Sequence, residues 1–216
     1  MKNILQKLSI GVSLIVGLSS TEALAHPHEF ITMQIRAAFD EKGMVAGMRY
    51  NWTFDEFFSA YALEGQDKNG NGTVEQDEMD AVLVEILGNI EGIKYFTVFD
   101  KKGVVPALEK AAPIGTEMKG RQLSITFDIP FKASIDVKEK AFKYAVYDPQ
   151  FYIAMEHDPD KDGVILANAP KGCSSDIGAP APSEDIQDFA SSLGKDESGG
   201  DDLGASFAEW VTISCK

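Results

Sequence analysis

The spacing of apolar and polar residues changes along the chain, and each change predicts a new secondary-structure element. Residues 30–40 combine alternation with β-branched side chains, which predicts a strand. A Glu-Lys-Gly turn at 41–43 leads into residues 44–54, which we expect to return as the second strand of a hairpin. Over residues 55–65 and 75–90 the apolar positions recur at helical spacing, so two helices are predicted there, and Asp55 is a candidate N-cap of the first.

Beyond residue 90 the pattern typical of strands returns. We predict strands at 94–100, 104–111, 121–131, 140–156 with a break at Asp148-Pro149, and 163–168. The first two are expected to form a hairpin around the Lys-Lys-Gly turn at 101–103. Residues 183–194 predict a helix, residues 195–204 a solvated acidic loop, and residues 205–215 end the chain as a helical turn or a strand. These elements predict an α+β fold with a mainly antiparallel β core, an inserted helix-loop-helix at about residues 55–90 and a C-terminal helix or strand.

The first 25 residues are typical of a secretory signal peptide. Lys2 and Lys7 precede a short apolar run at 10–18, and Ala23-Leu24-Ala25 has the small-x-small pattern of a cleavage site. Cleavage after Ala25 would leave a single domain of residues 26–216, whereas a retained membrane anchor is the alternative. We therefore expect an exported, periplasmic protein that does not span the membrane once processed.

The charge of the chain limits its partners. It carries 34 acidic and 20 basic side chains, for a formal net charge of −14 at pH 7. Such a chain is repelled by nucleic acid and by anionic lipid, and it attracts cations. We therefore do not expect nucleic acid as a partner.

The chain contains two cysteines, Cys173 and Cys215. In an exported protein, such a pair predicts a disulfide. A loop of about forty residues closed in this way is stabilised by roughly 3–4 kcal/mol in the chain-entropy model. The bond would join the last segment of the chain to the middle of the fold.

Residues 67–78, between the two predicted helices, match the twelve-residue calcium loop of an EF-hand. Gly72 occupies the position of the sharp turn. The expected oxygen donors are Asp67, Asn69, Asn71, Thr73 through its carbonyl group, Glu75 and Glu78. The alternative is an Asn- and Gly-rich turn without a metal. A second Asp-rich segment at 158–169 has no carboxylate at its last position, so we interpret it as a turn.

Two of the three histidines, His26 and His28, lie directly after the predicted cleavage site. Residues two apart in an extended chain point to the same face. After cleavage the α-amine and imidazole of His26 could chelate a metal together, as in a histidine brace. The alternative is two solvated histidines at a frayed terminus.

The predicted hairpin brings further ligands toward this pair. If facing residue numbers sum to about 83–85, His28 lies beside Asp55 and Glu56. His157 ends the aromatic segment 140–156 and is expected at the same end. Imidazole and carboxylate ligands together suit zinc, copper or nickel better than calcium.

Several ordered segments resemble the domain of unknown function 1007 family. They are HPHEF, WTFDEFFSAYALEGQDKNGNG, YDPQFYIA and a late GCS. Members of this family are described as periplasmic components of an uncharacterised transport system, associated with a permease of the nickel/cobalt transporter type, and some are linked to zinc. The resemblance therefore implies a periplasmic accessory protein for metal uptake, with an inner-membrane permease as its partner. The family pattern carries over to His26, Pro27, His28, Trp52, Phe54, Asp55, Glu56, the loop beginning at Asp67, Tyr147, Asp148, Pro149 and Cys173.

Our leading hypothesis is a periplasmic binding protein for a divalent transition metal, zinc first, with one structural calcium site. No Ser-His-Asp or Cys-His arrangement can be assembled credibly from three histidines, so an enzyme is not expected. Two alternatives stay open: a copper protein that uses the histidine brace for oxidative chemistry, and a calcium-binding module that recognises another protein.

Overall fold

The computed structural model describes residues 26–160, 162–194, 197–200 and 202–216. The predicted signal peptide at 1–25 lies outside the described residues. The elements are β1 (Glu29–Phe39), β2 (Val45–Phe54), α1 (Glu56–Leu63), α2 (Gln76–Ile90), β3 (Thr97–Phe99), β4 (Ala112–Lys119), β5 (Gln122–Ile135), β6 (Phe142–Val146), β7 (Ile153–His157), β8 (Val164–Ala167), β9 (Cys173–Gly178), α3 (Glu184–Ser192) and β10 (Trp210–Cys215). Short 3₁₀ segments follow α2 and precede β10.

The predicted hairpin is confirmed, and its register is the expected one. β1 and β2 are antiparallel, with Ile31 opposite Phe54 and Thr32 opposite Thr53. In the turn, the Asp40 carboxylate accepts hydrogen bonds from the backbone N–H groups of Lys42 and Met44. Within the turn, these N–H groups have the Asp40 side chain as their hydrogen-bond acceptor, and this fixes the turn immediately before the second strand.

Two sheets enclose the main core. The larger sheet has the order β4-β5-β2-β1-β7, and β8 pairs with the same edge of β1 further along; β7 and β8 run parallel to β1. The smaller, antiparallel sheet has the order β3-β6-β10-β9. Large apolar side chains from both sheets fill the space between them, and they include Tyr50, Trp52, Phe127, Phe142 and Tyr144. The predicted α+β class with a mainly antiparallel β core is therefore confirmed.

One predicted hairpin is wrong. Residues 94–100 begin as an irregular 3₁₀ turn and form only the short strand β3, which pairs with β6. Residues 104–111 form no strand, and their pairing with the sheet is limited to one bridge from Leu108 to Phe131. The strands β4 and β9 were not predicted. β4 lies at a sheet edge and contains a proline and a glycine, and β9 is mostly polar, so neither alternates as a half-buried strand does.

The predicted disulfide is confirmed. Cys173 and Cys215 lie directly opposite each other on β9 and β10, and their sulfur atoms are bonded. The bond joins the last strand to the edge strand of the smaller sheet. In the part of the chain that the structure describes, no helix is long and apolar enough to cross a membrane.

Candidate metal centre

His26 and His28 lie together at the start of β1. Their ring centroids are 4.8 Å apart, and the rings meet edge to face. The ring of Tyr152 packs against both: its centroid is 4.4 Å from that of His28 and 5.8 Å from that of His26. The three aromatic side chains therefore form one cluster, which we call the histidine cluster.

Most of the imidazole nitrogen atoms in this cluster have no hydrogen-bond partner. His26 is only 9% exposed. Both ring nitrogens of His26 and Nε2 of His28 are buried without a partner among the described residues. A buried polar atom left in this state costs about 1–3 kcal/mol. Burial and the nearby charge of His28 lower the pKa of His26, and the charges of Asp148 and Glu197, together with the backbone of Glu197, offset this only in part.

A tight turn at 148–152 supplies Tyr152 to the cluster. The buried carboxylate of Asp148 accepts hydrogen bonds from the backbone N–H groups of Gln150, Tyr152 and Ile153, over 3.1, 2.8 and 3.1 Å. The turn then hydrogen-bonds β1, because the Tyr152 carbonyl accepts the N–H of His28 at 2.9 Å. The sequence indicated a break at Asp148-Pro149, but it did not show that this break positions the histidines.

The C-terminal segment that contains Gly204 and Phe207 also contacts this turn. The N–H of Gly204 donates to the Pro149 carbonyl at 2.9 Å, and the rings of Phe151 and Phe207 stack with centroids 3.9 Å apart. A Cβ atom on Gly204 would collide with the Asp148 carbonyl oxygen, so the close approach requires glycine. We expected residues 195–204 to form a solvated loop, but Leu203 is buried in a second small core with Ala190 and Leu193.

The carboxylates expected beside His28 have other partners. Both oxygens of Asp55 accept backbone N–H groups: that of Phe30 in β1 at 2.9 Å, and that of Phe58 in α1 at 2.8 Å. Asp55 is therefore the N-cap of α1, as its position predicted, and it also fastens that helix to β1. Glu56 forms an exposed ion pair with Arg121 at 3.3 Å.

A different carboxylate, Glu29, follows His28 directly. Burial, together with the charges of Asp55 and Asp148, raises the pKa of Glu29 to about 7. Sequence spacing did not identify this residue, because the shift depends on carboxylates that are distant along the chain. Three acidic groups therefore surround this end of β1.

His157 does not reach the histidine cluster, which corrects our expectation. It pairs with Met33 in the parallel β1–β7 ladder, while Glu29 pairs with Ile153. At about 3.3 Å per residue, this offset of four residues puts His157 roughly 13 Å further along the strand. Its side chain is 4% exposed, and Nδ1 lies 2.8 Å from a carboxylate oxygen of Glu209. The same oxygen accepts the His157 backbone N–H at 2.7 Å, so the pair joins β7 to the start of β10.

No three His, Cys, Asp or Glu side chains converge to hold a metal within residues 26–160, 162–194, 197–200 and 202–216. The histidine cluster offers two imidazoles, with partnerless nitrogen atoms that can donate a lone pair. These nitrogens fit a borderline cation such as zinc, copper or nickel better than calcium.

The segment predicted to bind calcium forms a closed loop between α1 and α2. Asp67 accepts the backbone N–H groups of Gly70, Asn71 and Gly72. From the other end, the Glu78 carboxylate accepts those of Lys68, Asn69 and Glu75. The first and last carboxylates of the predicted ligand set therefore organise the same loop.

The middle of the loop is held by side-chain amides. Nδ2 of Asn71 donates to Glu75 at 2.8 Å, and Nδ2 of Asn69 donates to the second oxygen of the same carboxylate. Oδ1 of Asn71 accepts the Thr73 hydroxyl at 2.8 Å. Gly72 has a φ angle of +91°, which a residue with a side chain rarely adopts. The carboxylate of Glu75 therefore takes its hydrogen bonds from these two side-chain amides.

Comparison with known proteins gives a family but no activity. Residues 11–215 match the family described as "Protein of unknown function (DUF1007)". An "Uncharacterized protein" of Haemophilus influenzae (strain ATCC 51907 / DSM 11121 / KW20 / Rd) is 30% identical over 208 residues. That alignment covers 94% of this chain and 98% of the relative.

Proposed function

The chain belongs to the DUF1007 family, and we propose that it is an exported protein that binds a divalent transition metal, zinc first, for an inner-membrane permease. The observation that carries this proposal is the set of buried, partnerless imidazole nitrogens on His26 and His28. Such atoms destabilise the fold unless something binds them. Neutral imidazole is a preferred ligand of zinc, copper and nickel.

The two imidazoles need further ligands to complete a four-coordinate site. Cleavage after Ala25 would free the α-amine of His26, which is within chelating reach of its own ring. Water would complete the shell and keep one position exchangeable, which suits a protein that passes its metal on. Tyr152 covers the rings and limits how far they can rotate.

The disulfide supports export, and the family resemblance supports the permease. The Cys173–Cys215 bond suits an oxidising compartment such as the periplasm. A permease of the nickel/cobalt transporter type, implied by the family resemblance, would accept the metal.

We also propose one calcium site in the loop of residues 67–78. Support comes from the match of the loop to the twelve-residue calcium pattern and from the hydrogen bonds by which Asp67 and Glu78 order its backbone and Glu75 accepts its side-chain amides. Calcium would take the place of the Asn69 and Asn71 N–H donors at Glu75. The carboxylate and side-chain amide oxygens of the loop would then become its ligands. Because α1 is fastened to β1 through Asp55, rigidity in this loop would extend to the start of β1.

Zinc titration of the mature protein tests the proposal. Protein beginning at His26 should bind one zinc ion by calorimetry, and His26→Ala with His28→Ala should abolish that binding. His157→Gln is the matched control, because it removes a histidine outside the histidine cluster. Equal binding by wild type and the double variant would exclude the site. A type-2 copper signal together with oxidation of ascorbate would instead favour the copper enzyme.

A further inference from the structure

The outer face of the larger sheet carries a row of charged residues at its centre. In β1, the side chains of Met33, Ile35 and Ala37 point into the core, so the intervening residues face outward. Arg36, one of these, lies directly opposite Arg49 of β2. Like charges at paired positions on antiparallel strands repel each other and destabilise the pair.

Only one of these arginines is neutralised within the described chain. Arg49 donates two hydrogen bonds to Asp128 of β5, at 2.7 and 2.8 Å, which is the bidentate geometry of a strong ion pair. Arg36 makes no hydrogen bond or ion pair to any residue that the structure describes. The guanidinium of Arg36 is therefore not paired with a carboxylate of the described residues, although the formal net charge of the chain is −14.

Two adjoining cavities share Arg36 and Arg49. One, of about 470 Å³, is lined by hydroxyl and amide side chains and by Lys119, Glu117 and Asp158. Lys119 and Glu117 of this polar cavity neutralise each other, since they pair at 3.0 Å, and Asp158 adds one further carboxylate to its lining.

The other cavity is apolar, with a volume of about 420 Å³. Among the described residues, the charged ones in its lining are Arg36, Arg49 and Asp128, so this part of the lining carries one net positive charge at one end. Asn168 adds one uncharged polar side chain, and the remaining lining residues are apolar: Ala38, Ala46, Gly47, Met48, Ile129, Pro130 and Ala167. A positive end and an apolar body are the complement of a small amphipathic anion.

We propose that this apolar cavity binds a small organic carboxylate, with the carboxylate on Arg36 and the apolar part over Ala46 and Ala167. The guanidinium fork of Arg36 matches the two oxygens of a carboxylate, and its planar geometry favours that group over a spherical anion. Binding would also relieve the repulsion between Arg36 and Arg49. The site lies on the outer face of the sheet and does not involve His26 or His28.

Benzoate and benzamide are suitable probes, because they have nearly the same shape and differ in charge. By calorimetry or ligand-observed NMR, benzoate should bind at least tenfold more tightly than benzamide. Arg36→Gln should weaken benzoate binding at least tenfold, and Ala167→Leu, which fills the cavity and keeps every charge, should also weaken it.

Arg121→Gln is the matched control. It removes the same charge from an exposed arginine outside the cavity and should leave benzoate affinity unchanged. Equal affinity for the two probes, no measurable benzoate binding, or unchanged affinity in Arg36→Gln would each overturn the proposal. Thermal melts showing a folded Arg36→Gln protein make that comparison valid, and Ala167→Leu tests the site independently.

Discussion

The backbone N–H of His28 donates to the carbonyl oxygen of Tyr152 at 2.9 Å, and the rings of the same two residues lie 4.4 Å apart. One residue of the 148–152 turn therefore sets both the backbone and the side-chain position of a candidate ligand. The Asp148 carboxylate accepts three backbone hydrogen bonds that stabilise that turn, and the N–H of Gly204 donates to the Pro149 carbonyl within it. The candidate metal centre is thus assembled from the beginning, the middle and the end of the chain.

Tyr152→Ala should weaken zinc binding by about 10–100-fold, as loss of a residue that orients metal ligands typically does. The reason is that the histidine rings lose the surface that restricts their rotation. Tyr152→Phe keeps the ring and should bind zinc like wild type. Competition with a chromogenic zinc chelator would measure both. Equal losses in the two variants would show that the hydroxyl, and not ring packing, matters.

Gly204→Ala should lower the free energy of unfolding by about 1–3 kcal/mol, because the added methyl group overpacks against the Asp148 carbonyl. The control is Gly88→Ala in α2, where the new Cβ meets no atom within 4 Å. That substitution should stabilise the helix by about 0.5–1 kcal/mol. Urea unfolding measures both, and a neutral Gly204→Ala would contradict the close approach.

The contribution of Glu209 to stability should depend on pH. Burial acts to raise its pKa, but hydrogen bonds and charge from His157 outweigh this and lower it. A carboxylate with a lowered folded-state pKa adds stability that is complete above its unfolded pKa and is lost as the pH falls through the folded value.

We therefore expect Glu209→Gln to destabilise the protein by about 1.5–3 kcal/mol at pH 7, where a charge-assisted hydrogen bond is lost. The difference in the free energy of unfolding between the variant and the wild type should become smaller below pH 4. Urea unfolding at pH 7 and at pH 3 measures the two differences, and Glu184→Gln on exposed α3 serves as the control. A gap that is constant across this range would refute the assignment.

Calcium should stabilise the protein through the 67–78 loop. With a dissociation constant of about 0.1 mM, typical of extracellular sites, 1 mM calcium would add about 1.4 kcal/mol. The corresponding rise in Tm is roughly 3–6 °C. Differential scanning calorimetry should show this rise for wild type and for Asp160→Asn, but not for Glu78→Gln. If calcium raised the Tm of the Glu78→Gln variant as much as that of the wild type, the calcium site would lie outside the 67–78 loop.

Elements with strong local patterns could be predicted from the sequence. The β1–β2 hairpin and its register follow from alternation and turn length, and α1 and α2 follow from helical spacing and the Asp55 cap. The edge strands β4 and β9 could not be predicted, because a strand with little buried surface has no periodic signal. The false hairpin at 94–111 had alternation, but β6 lies where its second strand was expected.

The candidate site was also predicted only in part from the sequence. Local sequence was sufficient to predict that His26 and His28 lie together and that residues 67–78 form a loop between two helices, because short spacing sets which side chains share a face or a turn. The positions of Tyr152, Glu29 and His157 were decided by the tertiary structure. β7 pairs in parallel with β1, which brings Tyr152 to the histidines and carries His157 away from them. Strand pairing between distant segments depends on how the whole core packs, and no local pattern encodes it.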